Sequence, residues 1–212
     1  MIDLSFLEDK KRLVAIDAET TGFRVMSPED VKKAPKGLRP PGVVIEVGCV
    51  ELLRDGAGWR KGESWQSRVN PEAPISPGSI KVHGIKPGDL KLAPRFDQIL
   101  EPLLAFLGED YLVAHAYRNE KLFFDYEFAR IKKIGWGEDA FADERFVCTQ
   151  EIYAELFPGA PKSLDAMVDR LWVDRSERFK FHGALLDADL TADAFIEMER
   201  QLRDTGPAEA PL

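Results

Sequence analysis

Residues 13–22 read Leu13-Val14-Ala15-Ile16-Asp17-Ala18-Glu19-Thr20-Thr21-Gly22, and this stretch decides how the whole chain is interpreted. The short apolar run at its start predicts a buried strand over residues 12–17. Side chains two residues apart in a strand point to the same face, so Asp17 and Glu19 should project side by side as the strand ends. Two carboxylates held that close repel unless a positive charge lies between them. The usual partner is a hard divalent cation with oxygen ligands, so the stretch predicts a magnesium or manganese site.

The composition is that of a soluble globular protein. The 212 residues suit one domain, and 44% of them are hydrophobic and 31% charged. No apolar run approaches the roughly 20 residues that span a bilayer, and residues 1–11 lack the apolar stretch of a signal peptide. We therefore expect a cytoplasmic protein with no membrane partner, and we interpret Cys49 and Cys148 as reduced core residues. The net charge of −8 argues against a broad electrostatic grip on duplex nucleic acid, but not against an enzyme that holds a few nucleotides of a single strand.

The hydrophobic pattern predicts strands first and then alternating strands and helices. Residues 42–53 and 64–69 should form an antiparallel meander with the first strand, and residues 111–114 and 145–148 two further strands. Residues 24–41, rich in Pro, Lys and Gly, are predicted to be a loop or exposed turn. This order predicts an α/β domain with a mixed sheet over residues 1–203, followed by a disordered tail at residues 204–212.

Four helices are predicted from apolar residues at spacings of three and four. The first is marked by Phe96, Ile99, Leu100, Leu103, Leu104 and Leu107, and the second by Leu122, Phe123, Tyr126, Ile131 and Ile134. A third opens at Ser163, and the last runs over residues 183–202.

A second group of polar residues opens the last of these helices, in His182-Gly183-Ala184-Leu185-Leu186-Asp187-Ala188. A five-residue step on one continuous helix rotates by about 140°, so His182 and Asp187 could not share a face. Gly183 can break the backbone and leave His182 on the preceding loop. Asp187 would then face Asp17 and Glu19, and His182, with an ordinary pKa near 6.5, could act there as a general base.

Together these motifs resemble the DEDDh (DnaQ-like) family of 3′–5′ exonucleases. The family's first motif, Asp-x-Glu-Thr-Thr-Gly, matches residues 17–22, and its third, His-x-x-x-x-Asp, matches residues 182–187. Segments that border the family's nucleotide pocket match Val69-Asn70-Pro71 and Val82-His83-Gly84-Ile85, and Phe157-Pro158-Gly159 and Ser163-Leu164-Asp165-Ala166 also fit. The resemblance covers residues 12–200, and within the family it is greatest to the proofreading subunits of bacterial DNA polymerase III.

The resemblance implies an RNase H-like fold with a five-stranded mixed sheet flanked by helices. It also implies two divalent ions, Mg²⁺ or Mn²⁺, held by Asp17, Glu19 and Asp187, with His182 as general base and Glu120 orienting a ligand. The substrate would be the 3′ end of single-stranded DNA or RNA, released as nucleoside 5′-monophosphates. The residues expected to contact it are Thr20, Thr21, Gly22, Val82, His83 and Asn119; the alternative for His83 is a structural role in its turn.

The family's second motif, His-Asn-x-x-Phe-Asp, is altered in this chain. It reads His115-Ala116-Tyr117-Arg118-Asn119-Glu120, so Ala116 replaces the Asn, Asn119 the aromatic and Glu120 the Asp. Glutamate keeps the charge but adds a methylene, and an error of about 1 Å in a catalytic group can reduce a rate about a hundredfold. Glu120 is therefore either a working variant ligand or a solvent-facing helix acid.

Three functions remain open from the sequence. The first is an active metal-dependent exonuclease in proofreading or repair. The second is a catalytically weakened module that binds nucleic acid or a partner, and the third is an oligoribonuclease-like enzyme that acts on short RNA. A polymerase or repair complex is a possible partner, but residues 203–212 contain no evident clamp-binding motif of the Gln-x-x-hydrophobic type.

Overall fold

A computed structural model describes residues 3–36, 40–133, 139–179 and 182–204, and these form a mixed five-stranded sheet. The strands are β1 (Arg12–Thr20), β2 (Val44–Asp55), β3 (Gly58–Arg68), β4 (Tyr111–Ala114) and β5 (Phe146–Cys148). Their order across the sheet is β3-β2-β1-β4-β5. The first three strands are antiparallel neighbours, whereas β4 and β5 run parallel to β1 and to each other. The predicted mixed sheet is confirmed.

Helices cover both faces of this sheet. In chain order they are α1 (Pro28–Lys33), α2 (Pro77–His83), α3 (Phe96–Leu107), α4 (Tyr117–Arg130), α5 (Thr149–Leu156), α6 (Leu164–Arg170) and α7 (Ala184–Asp204). Short 3₁₀ turns occupy Ser5–Leu7, Pro87–Leu90, Asp143–Arg145 and Ser176–Phe179. No helix in the described part of the chain has the length and apolar content needed to cross a bilayer.

The alternating side chains of β1 divide the core into two layers. Leu13 and Ala15 pack into a cluster with α5, α6 and α7. Val14 and Ile16 point the other way, into a cluster with α3 and α4. Since residues at alternate positions share a face, the side chains of Asp17 and Glu19 lie on the α7 side of the sheet.

The first strand is longer than predicted. It continues past Asp17 to Thr20 because β2 pairs with it along its whole length, opposing Asp17 to Gly48 and Glu19 to Glu46. Asp17 and Glu19 therefore stand within paired backbone, which holds them more rigidly than a loose strand end would.

The loop predicted at residues 24–41 contains α1. Ser27 caps this helix by accepting a hydrogen bond from the Asp30 amide, and Pro28 occupies its first turn, which is a favoured N-terminal pattern. Local capping therefore overrides the loop-like composition. Residues 37–39 lie outside the described residues.

Other element boundaries also differ from the prediction. Helix α4 begins at Tyr117, earlier than the apolar pattern suggested, and ends at Arg130; Ile134 lies outside the described residues. Helices α2 and α5 were not predicted, and β3 begins at Gly58 rather than near residue 64. Asp204, expected in the tail, ends α7, while residues 205–212 lie outside the described residues and their disorder stays a prediction.

Candidate active site

Four carboxylates converge on the α7 side of β1. Asp17 and Glu19 come from β1, Glu120 from the first turn of α4 and Asp187 from the first turn of α7. We call these four the site acids. Glu120 is only 8% exposed and Asp187 only 5%, so the alternative of a solvent-facing Glu120 is wrong.

Two residues of β2 bring α7 onto the sheet. Gly48 lies opposite Asp17, and a Cβ atom there would come within 2.2 Å of the Leu185 amide nitrogen. Glu46 lies two residues earlier on the same face, is buried, and accepts a hydrogen bond from the Ala184 amide at 3.0 Å. Gly48 thus permits the close approach of α7, and Glu46 satisfies one of the free amides at its N-terminus.

His182 lies just before α7, as predicted. Its backbone amide donates to the Val82 carbonyl at 3.1 Å, and its Nδ1 lies 3.5 Å from Oδ2 of Asp187. Gly183 is not among the glycines with left-handed backbone, and its added Cβ would meet Glu46 only at an ordinary 3.7 Å. The helix therefore starts at Ala184 because Glu46 caps it, rather than because Gly183 requires a special conformation.

The site acids carry more negative charge than their surroundings balance. Burial, followed by the charges of Asp187 and Glu120, raises the pKa of Glu19 to about 8. Burial likewise raises the pKa of Glu120 to about 8, and burial followed by the Glu120 charge raises the pKa of Asp17 well above its ordinary value. Uncompensated carboxylates of this kind are arranged to receive a cation.

The donor set fits a hard divalent cation. Ligand atoms of Glu19, His182 and Asp187 lie within 4.8 Å of one another, although Asp17 is not part of that group. Glu120 Oε2 is buried and has no hydrogen-bond partner within the described structure. An unpaired buried carboxylate oxygen is costly, and a cation would relieve that cost.

A buried arginine contacts the same atoms. Arg178 is 8% exposed, and its Nε and Nη2 donate to Oδ1 and Oδ2 of Asp187 at 2.5 and 2.7 Å. Its Nη2 also lies 2.9 Å from Nδ1 of His182, and its Nη1 donates to Asp165. Burial and this guanidinium lower the pKa of His182, so its imidazole is neutral at pH 7.

A family model described as an exonuclease matches residues 14–195. The chain belongs to the DnaQ-like exonuclease family. It is 31% identical over 188 residues to the DNA polymerase III subunit epsilon of Pasteurella multocida, covering 88% of this chain and 68% of that protein. The Haemophilus influenzae subunit epsilon is likewise 31% identical over 192 residues, covering 88% of this chain and 67% of that protein.

A solved structure gives the same fold. It is the nuclease domain of 3′hExo, described as a DEDDh family member bound to rAMP. The TM-score is 0.67 at 19% identity, over 93% of this chain and 95% of that one. The RNase H-like fold expected from the sequence is confirmed.

Within this exonuclease domain, the side chains of Thr20 and Thr21 fasten the turn after β1. The Thr20 hydroxyl donates to the Gly22 carbonyl at 2.9 Å, and the Thr21 hydroxyl accepts from the Val43 amide at 3.0 Å. Both side chains are buried. Thr21 and Gly22 line a cavity of about 410 Å³, which opens directly after β1.

Of the other predicted substrate residues, His83 lines a second opening, whereas Val82 and Asn119 do not. His83 is buried, and its Nδ1 accepts from the Ile85 amide at 3.0 Å, while half-buried Val82 holds the His182 backbone. Together with His182 and Glu46, His83 lines a cavity of about 350 Å³. Asn119 is exposed on the first turn of α4.

Three residues that shape the site, and one exposed aromatic residue near its first motif, were not predicted from the sequence. Arg178 and Glu46 have no motif that marks them, because their roles arise from long-range contacts with Asp187 and Ala184. Gly48 could have been noticed as a glycine within a β-branched strand, which often marks a close backbone approach. Phe23 directly follows the first motif, and its side chain is 66% exposed, so packing in the core does not explain an aromatic residue at this position.

Proposed function

We propose that this protein is a metal-dependent 3′–5′ exonuclease that releases nucleoside 5′-monophosphates from the 3′ end of single-stranded DNA or RNA. The observation that carries the proposal is the cluster of site acids. Their pKa values are raised where resolved, and one oxygen of Glu120 is unpaired in the described structure. Family membership supplies the nuclease chemistry for which such a cluster is suited.

The chain's own groups divide the work as follows. Asp17, Glu19 and Asp187 would hold divalent ions, either Mg²⁺ or Mn²⁺, with Glu120 orienting their ligands. Such ions activate an attacking water and stabilise the charge on the leaving oxygen. His182 is neutral at pH 7 and lies beside Asp187, so it is placed to accept a proton there once one of its ring nitrogens is free.

The surroundings of the site acids favour a strand end as substrate. One cavity is lined by Thr21 directly after β1, and another by His83 together with His182, so both are candidates to receive the last nucleotides of a single strand. Exposed Phe23 directly follows the first motif. Its ring lies near Gly78, where an added Cβ would be 3.4 Å from Cε2 of Phe23. We assign Phe23 as a surface on which a base stacks, since stacking contributes about 1–3 kcal/mol per base.

The test is a nuclease assay on 5′-labelled single-stranded DNA and RNA with Mg²⁺ or Mn²⁺. Stepwise shortening of the labelled strand shows 3′–5′ polarity, and chromatography should identify nucleoside 5′-monophosphates. Asp187→Asn should reduce the rate by more than the roughly hundredfold typical of losing a group outside the metal's ligand shell.

Asp189→Asn is the matched control for this assay. Asp189 is two residues further along α7, but it pairs with Lys61 at 2.8 Å on the outer face. Its substitution should leave the rate within about twofold, as is usual for surface changes. Absence of cleavage with either metal, or products carrying a 3′-phosphate, would contradict the proposal.

A second candidate is a weakened module that binds nucleic acid without cutting it well. The observations in its favour are the longer Glu120 and the polar Asn119, which removes a stacking ring from α4. Tight binding of a single strand with no cleavage would support it. Faster cleavage of dinucleotides than of 20-nucleotide single-stranded substrates would instead indicate an oligoribonuclease-like enzyme.

The biological setting is also proposed. The similarity to subunits of DNA polymerase III supports DNA proofreading or repair, whereas the rAMP bound to 3′hExo shows only that the fold accepts a ribonucleotide in that protein. Association with a polymerase and a cytoplasmic location stay predictions. Co-purification of the tagged chain from cells with a polymerase subunit would test the first of these.

A further inference from the structure

We infer that Arg178 is a positioning residue that closes the site in the absence of a divalent cation, by occupying the carboxylate of Asp187 and Nδ1 of His182 at once. This inference rests on the proposed metal site. We call the contacts from Arg178 to Asp187 and Asp165 the Arg178 bridge.

The bridge uses both oxygens of Asp187. Nε meets Oδ1 at 2.5 Å and Nη2 meets Oδ2 at 2.7 Å, which is the bidentate fork that makes arginine–carboxylate pairs strong. Asp187 and Arg178 are both more than nine-tenths buried, so water does little to screen the pair. A divalent cation that binds Asp187 must take these same oxygens, and it would repel the guanidinium. Arginine and metal therefore compete.

Arg178 also blocks His182. A guanidinium cannot be deprotonated in a protein, so Nη2 is the donor and Nδ1 of His182 the acceptor at 2.9 Å. The proton of the neutral ring is then on Nε2. Neither ring nitrogen has a free lone pair, so His182 cannot accept a proton until Arg178 leaves. One side chain thus withholds a metal ligand and the general base together.

The structure also provides a place for the displaced guanidinium. Nη1 of Arg178 already donates to Asp165 at the start of α6, outside the site acids. When a cation takes Asp187, Arg178 can keep Asp165 and release the other two contacts.

The prediction is measured as metal binding, without substrate or turnover. Titration of Mn²⁺ followed by electron paramagnetic resonance should show that Arg178→Gln binds at least about tenfold more tightly than the wild type, equivalent to about 1.4 kcal/mol. Without metal, the same variant should melt at a lower temperature, because the site acids lose their internal cation. Arg178→Lys keeps the charge but not the fork, so its affinity should fall between the two.

Asp165→Asn gives a change of opposite sign. It removes the alternative partner of Arg178 and leaves the bridge on Asp187 alone, so Mn²⁺ should bind several-fold more weakly. This variant carries the test if Arg178→Gln does not fold. Arg170→Gln is the matched control: its guanidinium lies 5.2 Å from the centre of the Phe157 ring, and its loss should leave Mn²⁺ affinity unchanged.

The outcomes separate this inference from the proposed function. If the wild-type protein does not bind Mn²⁺, or if Asp187→Asn binds it equally well, the proposed metal site is wrong and the inference falls with it. If the wild type binds Mn²⁺ but Arg178→Gln binds equally or more weakly, only the inference is overturned.

Discussion

The two regions that supply the site acids are built differently. Asp17, Glu19 and Asp187 stand on β1 and on the first turn of α7, where paired backbone and the Glu46 cap hold them. Glu120 stands on the first turn of α4, whose N-cap residue Ala116 has left-handed backbone and provides no side-chain cap. The motifs typical of the family therefore coincide with rigid support. The departures from those motifs are confined to a helix start that is strained and uncapped.

The largest effect is expected from breaking the support of α7. Gly48→Ala would place a Cβ 2.2–2.3 Å from the backbone of Ala184 and Leu185, so α7 must move. A shift of about 1 Å at Asp187 and His182 should reduce the exonuclease rate about a hundredfold, and overpacking should lower the free energy of unfolding by about 1–3 kcal/mol. Single-turnover assays and urea denaturation measure the two effects.

Gly88→Ala is the matched control for that substitution. An added Cβ at Gly88 meets no described atom within 4 Å, and the residue lies in the 3₁₀ turn Pro87–Leu90, outside the contact between β2 and α7. It should leave both rate and stability nearly unchanged. Equal rates for the two variants would show that the close approach of α7 does not position the site.

On α4, the informative substitution is Glu120→Asp, which restores the family's residue. The Glu120 carboxylate already reaches the cluster, with a backbone hydrogen bond from Ala18 on one oxygen and the other unpaired in the described structure. Aspartate is shorter by one methylene group, so its carboxylate would lie further from the other site acids. We therefore expect the rate to fall about tenfold, within the range for groups that tune a metal site. A higher rate would mean instead that the domain is weakened at α4.

Prediction from the sequence was also better for the acids on β1 and α7 than for Glu120 on α4. The positions of Asp17 and Glu19 on one strand face and of Asp187 near a helix start could be predicted, because strand alternation and a helix start are local rules. The burial of Glu120 could not, since it depends on where α4 begins, and the apolar pattern marked only the later Phe123 and its neighbours. Arg178 and Glu46 were beyond reach because their contacts join residues that only the folded chain brings together.

The excess negative charge of both regions predicts a pH dependence of stability. Glu19 and Glu120 titrate near pH 8 in the folded protein but near pH 4.5 when unfolded, so between these values the folded state binds more protons. Stability of the metal-free protein must therefore fall as pH rises, by at most about 1.4 kcal/mol per pH unit for each group. Urea denaturation in a chelator from pH 7 to 8.5 tests this.

Between pH 7 and 8.5 the histidines do not contribute to the pH dependence of stability. The pKa values of His83, His115 and His182 are lowered, so the three rings add stability as pH rises toward 6.5 and contribute no further change above it. Glu120→Gln should flatten the decline, and saturating Mn²⁺ should abolish it by favouring the charged carboxylates. If the free energy of unfolding without metal is constant or rises from pH 7 to 8.5, the claim that the site acids carry unbalanced negative charge is wrong.

The smallest expected effect concerns the strained start of α4. Ala116 has φ of 55° and ψ of 45°, and it caps the helix without any side-chain hydrogen bond. Asparagine tolerates left-handed backbone better than alanine and is a preferred N-cap residue, so Ala116→Asn should stabilise the protein by about 1 kcal/mol. Ala116→Gly relieves the strain without adding a cap, so the difference between the two variants in urea denaturation isolates the cap. If neither variant is stabilised, the backbone at Ala116 is not strained, and the altered second motif affects only the chemistry of Glu120.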